Sequence, residues 1–482
     1  MALVVVGVLA FGLYHGFYGL LTHAAGNQKS SNPVNVNDVI KTTVTALTLV
    51  GAVLAGIYAY RKQLLAEGDA HRADANQLAD RYTTAAEQLG HDQAAVRLAG
   101  VYALARLADD WQEQRQVCID VLCAYLRMPY EPDPAADGHK TGEREVRQTI
   151  IRVIRDHLQE PDAATAWCSH DFNFTGAVFD GGNFSTSHFL GATSFFGATF
   201  SGGLLSFRGA TFSMGTVNFV GATFSGGAVA FSRAAFNSGS TVTFDDAAFN
   251  SGSTVTFDDA AFNSGSTVTF DGAAFSGGMV AFDDAAFSGG FVNFDNGTFS
   301  GGEVGFIGAT FSSGTISFVS STFSGGMVAF SRAAFSGAMV IFDDAAFSGA
   351  TVIFDDAAFN GGTVDFVGAT FSGGTVAFDG ATFSGRVTFR SATFSGGALS
   401  FRDAMFSRSA VTFVGAAFSG GMVAFSRATI NGGMVAFDSA TFSAGTVDFI
   451  NAVLSSDTVT FGAATFSGAT IAWGPISRPT GA

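Results

Sequence analysis

The chain has 482 residues, a formal net charge of -16 and only 24 Lys and Arg, beside 53 Phe and 61 Gly. A phosphate backbone needs a basic stripe, so this balance argues against direct nucleic-acid binding. The three cysteines, Cys118, Cys123 and Cys168, are odd in number and form no CxxC, which argues against a disulfide framework and for reduced thiols in a reducing compartment.

The chain opens with apolar sequence. Met1 to Leu21 carries no Asp, Glu, Lys or Arg, and Val39 to Tyr60 is a second apolar run, broken only by Lys41. Each is about 20 residues, enough as helix to cross a hydrocarbon core of roughly 30 Å. A cleaved signal peptide is the rival reading of the first, but the basic leader segment is missing. Arg61, Lys62 and Arg72 follow the second run, while residues 22–38 carry only Lys29. The positive-inside tendency then expects residues 1–62 to be a two-helix membrane anchor with both termini in the cytoplasm, in a bacterial inner membrane.

Residues 63–160 read as a helical adaptor. His71, Ala75, Leu78, Tyr82, Ala85 and Leu89 recur at four and three residues, a seam that either pairs two copies of the chain or docks on the following helices. A homodimer is therefore one expectation. Asp92 is expected to cap a helix over Gln93 to Ala108, whose Val96, Ala99, Val101, Ala103, Leu104 and Leu107 form an apolar stripe. Gln112 to Met128 reads as its partner, and Pro129, Pro132 and Pro134 end the pair. A last helix, Glu143 to Gln159, is expected to cover the next part's open edge with Val146, Ile150, Val153, Ile154 and Leu158. Arg144, Arg147, Arg152, Arg155 and Asp156 would then face water.

From residue 161 to 474 one short motif recurs. Phenylalanines fall at 354, 359, 366, 371, 378, 383, 389, 394 and 401, a spacing of five and then usually seven. In VAFDG (Val376 to Gly380) and ATFSG (Ala381 to Gly385) a small or β-branched residue stands two places before the Phe, so both point to one side of a strand. Such a unit buries its apolar face only by stacking on itself, which predicts a parallel β-helix of about 24 residues per coil and about twelve coils. At roughly 4.8 Å per coil it would be on the order of 60 Å long. No proline interrupts residues 162–474, as continuous strand pairing requires. Residues 475–482 form a tail after Trp473.

The units VAFDG, ATFSG, VDFVG and VTFRS resemble the pentapeptide-repeat family of bacterial proteins. The resemblance implies a right-handed, four-sided β-helix with the central aromatic and the residue two before it inside. The stretch EQLGHDQAAVRLAGVYALARLADDW is similar to the HEAT-type helical segment between membrane anchor and repeats in some members. The expected fold class is therefore mainly β: a right-handed parallel β-helix preceded by two transmembrane helices and a small all-α segment.

The repeats offer little chemistry. All eight histidines lie at or before His188, no lysine follows Lys140, and no phosphate-binding glycine loop or calcium turn is present. Neither cofactor nor metal is expected, and the chain reads as no enzyme; a site at His157, His170 and His188 is the remaining catalytic reading. From Phe172 on, twenty acidic residues face nine arginines. The FDDAAF copies place Asp245, Asp246, Asp258, Asp259, Asp283, Asp284, Asp343, Asp344, Asp355 and Asp356 just after inward phenylalanines, on the outer surface. The first expectation is a membrane-tethered scaffold that presents this surface to a protein partner. The alternative is an acidic DNA mimic regulating a topoisomerase or another nucleic-acid enzyme, a role the family resemblance implies. Repeated Thr-Val-Thr at Thr241, Thr254 and Thr267 also resembles the threonine arrays of ice-binding β-helices.

Overall fold

The computed structural model describes residues 2–27, 35–455 and 459–479, without the side chains of residues 2–6, 9, 25, 27 and 68–73. Its contacts divide the chain into two units, Met1–Thr83 and Thr84–Ala482. In the first unit α1 spans Ala2–Asn27, and most of α2, Val36–Leu89, follows. α2 runs through the expected boundary at residue 62 because no Pro or Gly pair interrupts it there.

Among the described residues one helical segment, Val36–Glu67, is long and apolar enough to cross a membrane, rather than the two expected. Met1–Leu21 falls largely within α1, but Met1 and the first side chains of α1 lie outside the described residues. So does the first seam position, His71. Of the remaining seam residues only Ala85 and Leu89, in the last turns of α2, are buried.

In the second unit α3 (Ala94–Asp110), α4 (Arg115–Arg127, entered through a 3-10 turn at Gln112–Gln114) and α5 (Glu143–Asp156) form the adaptor. α3 differs from expectation at its start. Its N-cap is Gln93, whose N–H donates to His91 Nδ1 at 3.0 Å, and Asp92 does not cap it. Its buried face is also rotated, because Arg97 and Gly100 are inside with Val101, Leu104 and Leu107, while Ala99 is exposed. Gly100 allows the end of α2 to approach closely: a Cβ there would stand 2.5 Å from Leu89 N and 2.9 Å from Ala85 O.

α5 buries Val146, Ile150, Val153 and Ile154, with Leu158 just after it. Arg144 faces outward and pairs with Asp180 at 2.7 Å, Gln148 donates to Gly181 O at 3.1 Å, and Arg155 donates to Ser185 O at 3.3 Å. Gln148 and Arg155 thus meet carbonyls of the first coil, which a bare strand edge would leave open, and Arg144 meets a carboxylate beside them. Arg147 departs from expectation. It is 3 % exposed and donates to Leu126 O, to Tyr125 O at 3.4 Å and to Val178 O at 3.4 Å. The carbonyls ending α4 and a first-coil carbonyl need donors, and a guanidinium supplies five.

The repeats form a parallel β-solenoid. Residues 241–262 show one coil: strands Thr241–Thr243 and Ala261–Phe262 belong to one sheet, and Ala248–Phe249 and Thr254–Thr256 to the other. Each pairs in parallel with the strand one coil on, in registers such as Thr241↔Thr267 and Ala248↔Ala274. The backbone alternates its partners, as when Phe330 N–H donates forward to Ile353 O at 2.6 Å and Ala334 N–H backward to Ala309 O at 2.9 Å.

Four aromatic columns fill the interior. From Phe179 to Phe466 twelve successive coil-to-coil ring stacks keep centroids 4.6 to 5.5 Å apart and planes within 12°. The stacking distance is the strand spacing itself, so ring packing and hydrogen bonding reinforce each other. Across the axis, Phe342 meets Phe354 edge-on at 6.2 Å. Through most of the solenoid the residue two before the inward Phe, such as Val340 or Val352, is also buried.

Two kinds of corner join the strands. The five-residue step is a tight turn closed from Ala247 N–H to Phe244 O at 3.0 Å, and it carries the chain from one sheet to the other. The seven-residue step is a glycine corner within a sheet, and in several coils it fuses two strands into one of eight residues with a bulge, as in Ala274–Ala281. Gly326 shows why glycine is needed there: φ is +74° and a Cβ would lie 2.6 Å from Gly302 O.

Candidate interaction surface

The ten aspartates occupy two chemically different places in the tight turns. Asp246, Asp259, Asp284, Asp344 and Asp356 are exposed, with φ between 55 and 57°. Asp and Asn tolerate this left-handed backbone better than most side chains, which explains the second aspartate locally. Arg233, Arg332 and Arg427 hold the same conformation in other coils, with φ of 59 to 60°.

The first aspartate of each pair is half-buried. Asp245 accepts the N–H of Asp271 at 3.0 Å, Asp283 that of Ile307 at 2.9 Å, Asp343 that of Val367 at 2.9 Å, and Asp355 that of Asp379 at 3.1 Å. These four carboxylates therefore satisfy the turn of the next coil, whereas Asp258 Oδ1 is buried without a partner among the described residues. Burial pushes the carboxyls of Asp258, Asp343 and Asp355 above the usual range, with the Asp283 charge adding to the effect at Asp258 and the Asp379 charge at Asp355. Asp365 is raised by burial too, although Arg386 stands 3.7 Å away and opposes it.

The ten do not converge on one site. The turns at 245–246 and 343–344 lie along one seam between the sheets, and those at 258–259, 283–284 and 355–356 along the other, because the tight turns alternate in direction along the chain. Asp258–Asp259 and Asp283–Asp284 stand one coil apart on their seam, whereas Arg233 pairs with Asp259 at 3.5 Å and Arg427 with Asp403 at 2.6 Å. The Arg427 guanidinium holds the Asp403 carboxyl below the usual range. The Thr-Val-Thr copies also divide: Thr241 and Thr267 stack in one sheet, while Thr254 pairs with Met279 in the other. They make no single array.

The three junction histidines do not come together in one bonded cluster, and His170 Nδ1 is buried without a partner among the described residues. His157 stacks on Trp167 at 4.1 Å, its Nδ1 lies 2.7 Å from Val153 O and its Nε2 3.2 Å from Asp109. His170 is pushed below the usual imidazole range by burial and by Arg115. The backbone of His188 donates to Leu158 O at 2.8 Å, joining cap to solenoid. Among the described residues no group of three or more His, Cys, Asp or Glu is placed to hold a metal ion. The three cysteines are free and buried, and burial pushes the Cys118 thiol up to about 11 and that of Cys123 to about 12.

A buried polar cluster in the adaptor was missed in the sequence. Glu143 accepts from Tyr125 Oη at 2.8 Å and pairs with Arg97 at 3.2 Å and Arg147 at 3.7 Å, while Arg147 stacks on the Tyr130 ring at 4.4 Å. The signal was an arginine four places before Val101 and seven before Leu104, on the apolar face of its own helix. No protein-family profile matches the chain, and no curated protein matches it either.

Proposed function

We propose that the chain is a non-catalytic, membrane-tethered scaffold whose solenoid, a right-handed four-sided helix of the pentapeptide-repeat type, presents its turns to a protein partner. The observation that carries this reading is the use of its carboxylates. In four of the five pairs the first aspartate is bound into the turn of the next coil, and in all five its neighbour stands exposed at constant backbone geometry, so exposed groups recur along both seams. A ring-packed interior holds that spacing rigid, which suits docking by many weak contacts.

The tether is α2. Its apolar first half is followed by Arg61 and Lys62, and a bacterial inner membrane would then keep the solenoid on the cytoplasmic side. The DNA-mimic reading is disfavoured by Arg233, Arg332 and Arg427, which interrupt the seam that carries Asp258–Asp259, Asp283–Asp284 and Asp355–Asp356. Crosslinking in intact cells followed by mass spectrometry tests the proposal, comparing the full chain with one ended after Gln159. Protein partners lost on truncation support it. Topoisomerase supercoiling inhibited by the purified chain in a salt-dependent way would replace the scaffold with the mimic.

A further inference from the structure

The chain contains three Asn-Gly steps, Asn296-Gly297, Asn360-Gly361 and Asn431-Gly432, and all lie in the solenoid. Asparagine before glycine is prone to deamidation, because the backbone nitrogen that follows attacks the side-chain amide and glycine has no Cβ to hinder it. The attack needs that nitrogen free of a hydrogen bond. Two of the three steps do not offer it. In the tight turn after Phe294 the Gly297 N–H donates to Phe294 O at 3.1 Å, and Asn296 Nδ2 donates to Asp271 Oδ1 at 2.9 Å. The Gly432 N–H donates to Ser455 Oγ of the next coil at 3.0 Å.

Asn360-Gly361 is different. Both residues are exposed at a glycine corner, and among the described residues neither the Gly361 N–H nor the Asn360 side-chain amide has a hydrogen-bond partner. The φ of Gly361 is +81°, and a Cβ there would meet nothing within 4 Å, so the approach is uncrowded. Asn237, Asn250 and Asn263 stand at the same place in earlier coils but precede Ser, and their side chains are tied to neighbouring coils. Asn237 Nδ2 donates to Ser213 Oγ at 2.9 Å, Asn263 Nδ2 donates to Asn237 Oδ1 at 2.8 Å, and Asn250 Oδ1 accepts from Ser276 Oγ at 3.1 Å.

We propose that Asn360 is a deamidation site of the folded chain. The Gly361 nitrogen loses its proton to solvent base and bonds to Asn360 Cγ; the Cγ–Nδ2 bond breaks and Nδ2 leaves as ammonia. One water then opens the succinimide at either carbonyl, leaving aspartate or isoaspartate with no change of oxidation state. Either product adds a charge to a corner that had none, and isoaspartate also adds a backbone carbon to the seven-residue step between Phe359 and Phe366. The inference is independent of the scaffold reading, since it needs only the geometry of one corner.

Incubation of the full chain in detergent at mildly alkaline pH, followed by peptide mapping with mass spectrometry, tests it. Synthetic peptides spanning the three steps serve as clocks and should react at comparable rates. In the folded chain Asn360 should lose its amide first, with Asn296 and Asn431 slower by about fivefold or more, because a hydrogen bond must open before they react. Ser455→Ala removes the acceptor of the Gly432 N–H. It should raise the Asn431 rate towards that of Asn360 and leave Asn360 unchanged, with folding checked by circular dichroism. An Asn360 rate no higher than the other two, or an Asn431 rate unmoved by Ser455→Ala, overturns the proposal.

Discussion

At the scale of the residue, the two members of each aspartate pair do different work although they are adjacent and chemically identical. The first is half-buried and in four of the five pairs closes the turn of the next coil; the second holds a left-handed backbone in solvent. A carboxyl raised in the folded state makes its ionisation unfavourable to folding, so its penalty is full above the folded value and is relieved as pH falls through it. Asp258, Asp343, Asp355 and Asp365 are all raised, so their contribution to stability grows as pH drops from neutral towards the ordinary carboxylate range. Urea midpoints of the wild-type chain and a protein carrying Asp→Asn at all four positions should converge over that descent. A gap that stays constant would show that the four carboxyls keep ordinary values. The exposed turn position behaves differently. Asp246→Gly relieves a left-handed backbone and should be nearly neutral, whereas Gly326→Ala should cost about 1–3 kcal/mol in the same assay.

At the scale of the element, α5 is a cap whose polar face was expected in water and is partly inside. Arg147 joins three things that would otherwise be left open: the last carbonyls of α4, a first-coil carbonyl and the Glu143 carboxylate. Arg147→Met keeps much of the side-chain volume and removes the donors. It should destabilise the adaptor by about 3 kcal/mol, seen as a lower thermal midpoint in tryptophan fluorescence, because Trp111 and Trp167 stand in or beside it. The apolar face of α5 was legible from spacing alone, since Val146, Ile150, Val153 and Ile154 follow helical periodicity. The burial of Arg97 and Arg147 was not, because it depends on which carbonyls the neighbouring helix and the first coil bring close.

At the scale of the whole molecule, each coil of the solenoid touches only its neighbours, so length and stability are nearly separable. Removing residues 330–353 joins Phe354 to the place of Phe330 and restores every later register, since these two rings already stack at 4.7 Å. That deletion should leave a folded chain with unchanged mean residue ellipticity and a similar thermal midpoint. Removing only residues 330–334 breaks the alternation of five and seven, displaces a ring column and should give aggregated protein by size-exclusion chromatography.

The spacing of five and seven, with a small residue two places before each ring, was enough by itself to determine the inward faces, the parallel stacking and a repeat of 24 residues in much of the solenoid. Those are properties of strand alternation and coil length, which are local and repeat. Tertiary structure alone decided that the acidic pairs divide between two seams, that one member of four of the five serves the next coil, and that two arginines turn inward around Glu143. These follow from which backbone groups meet across coils and between helices, and partners distant in sequence leave no period in it.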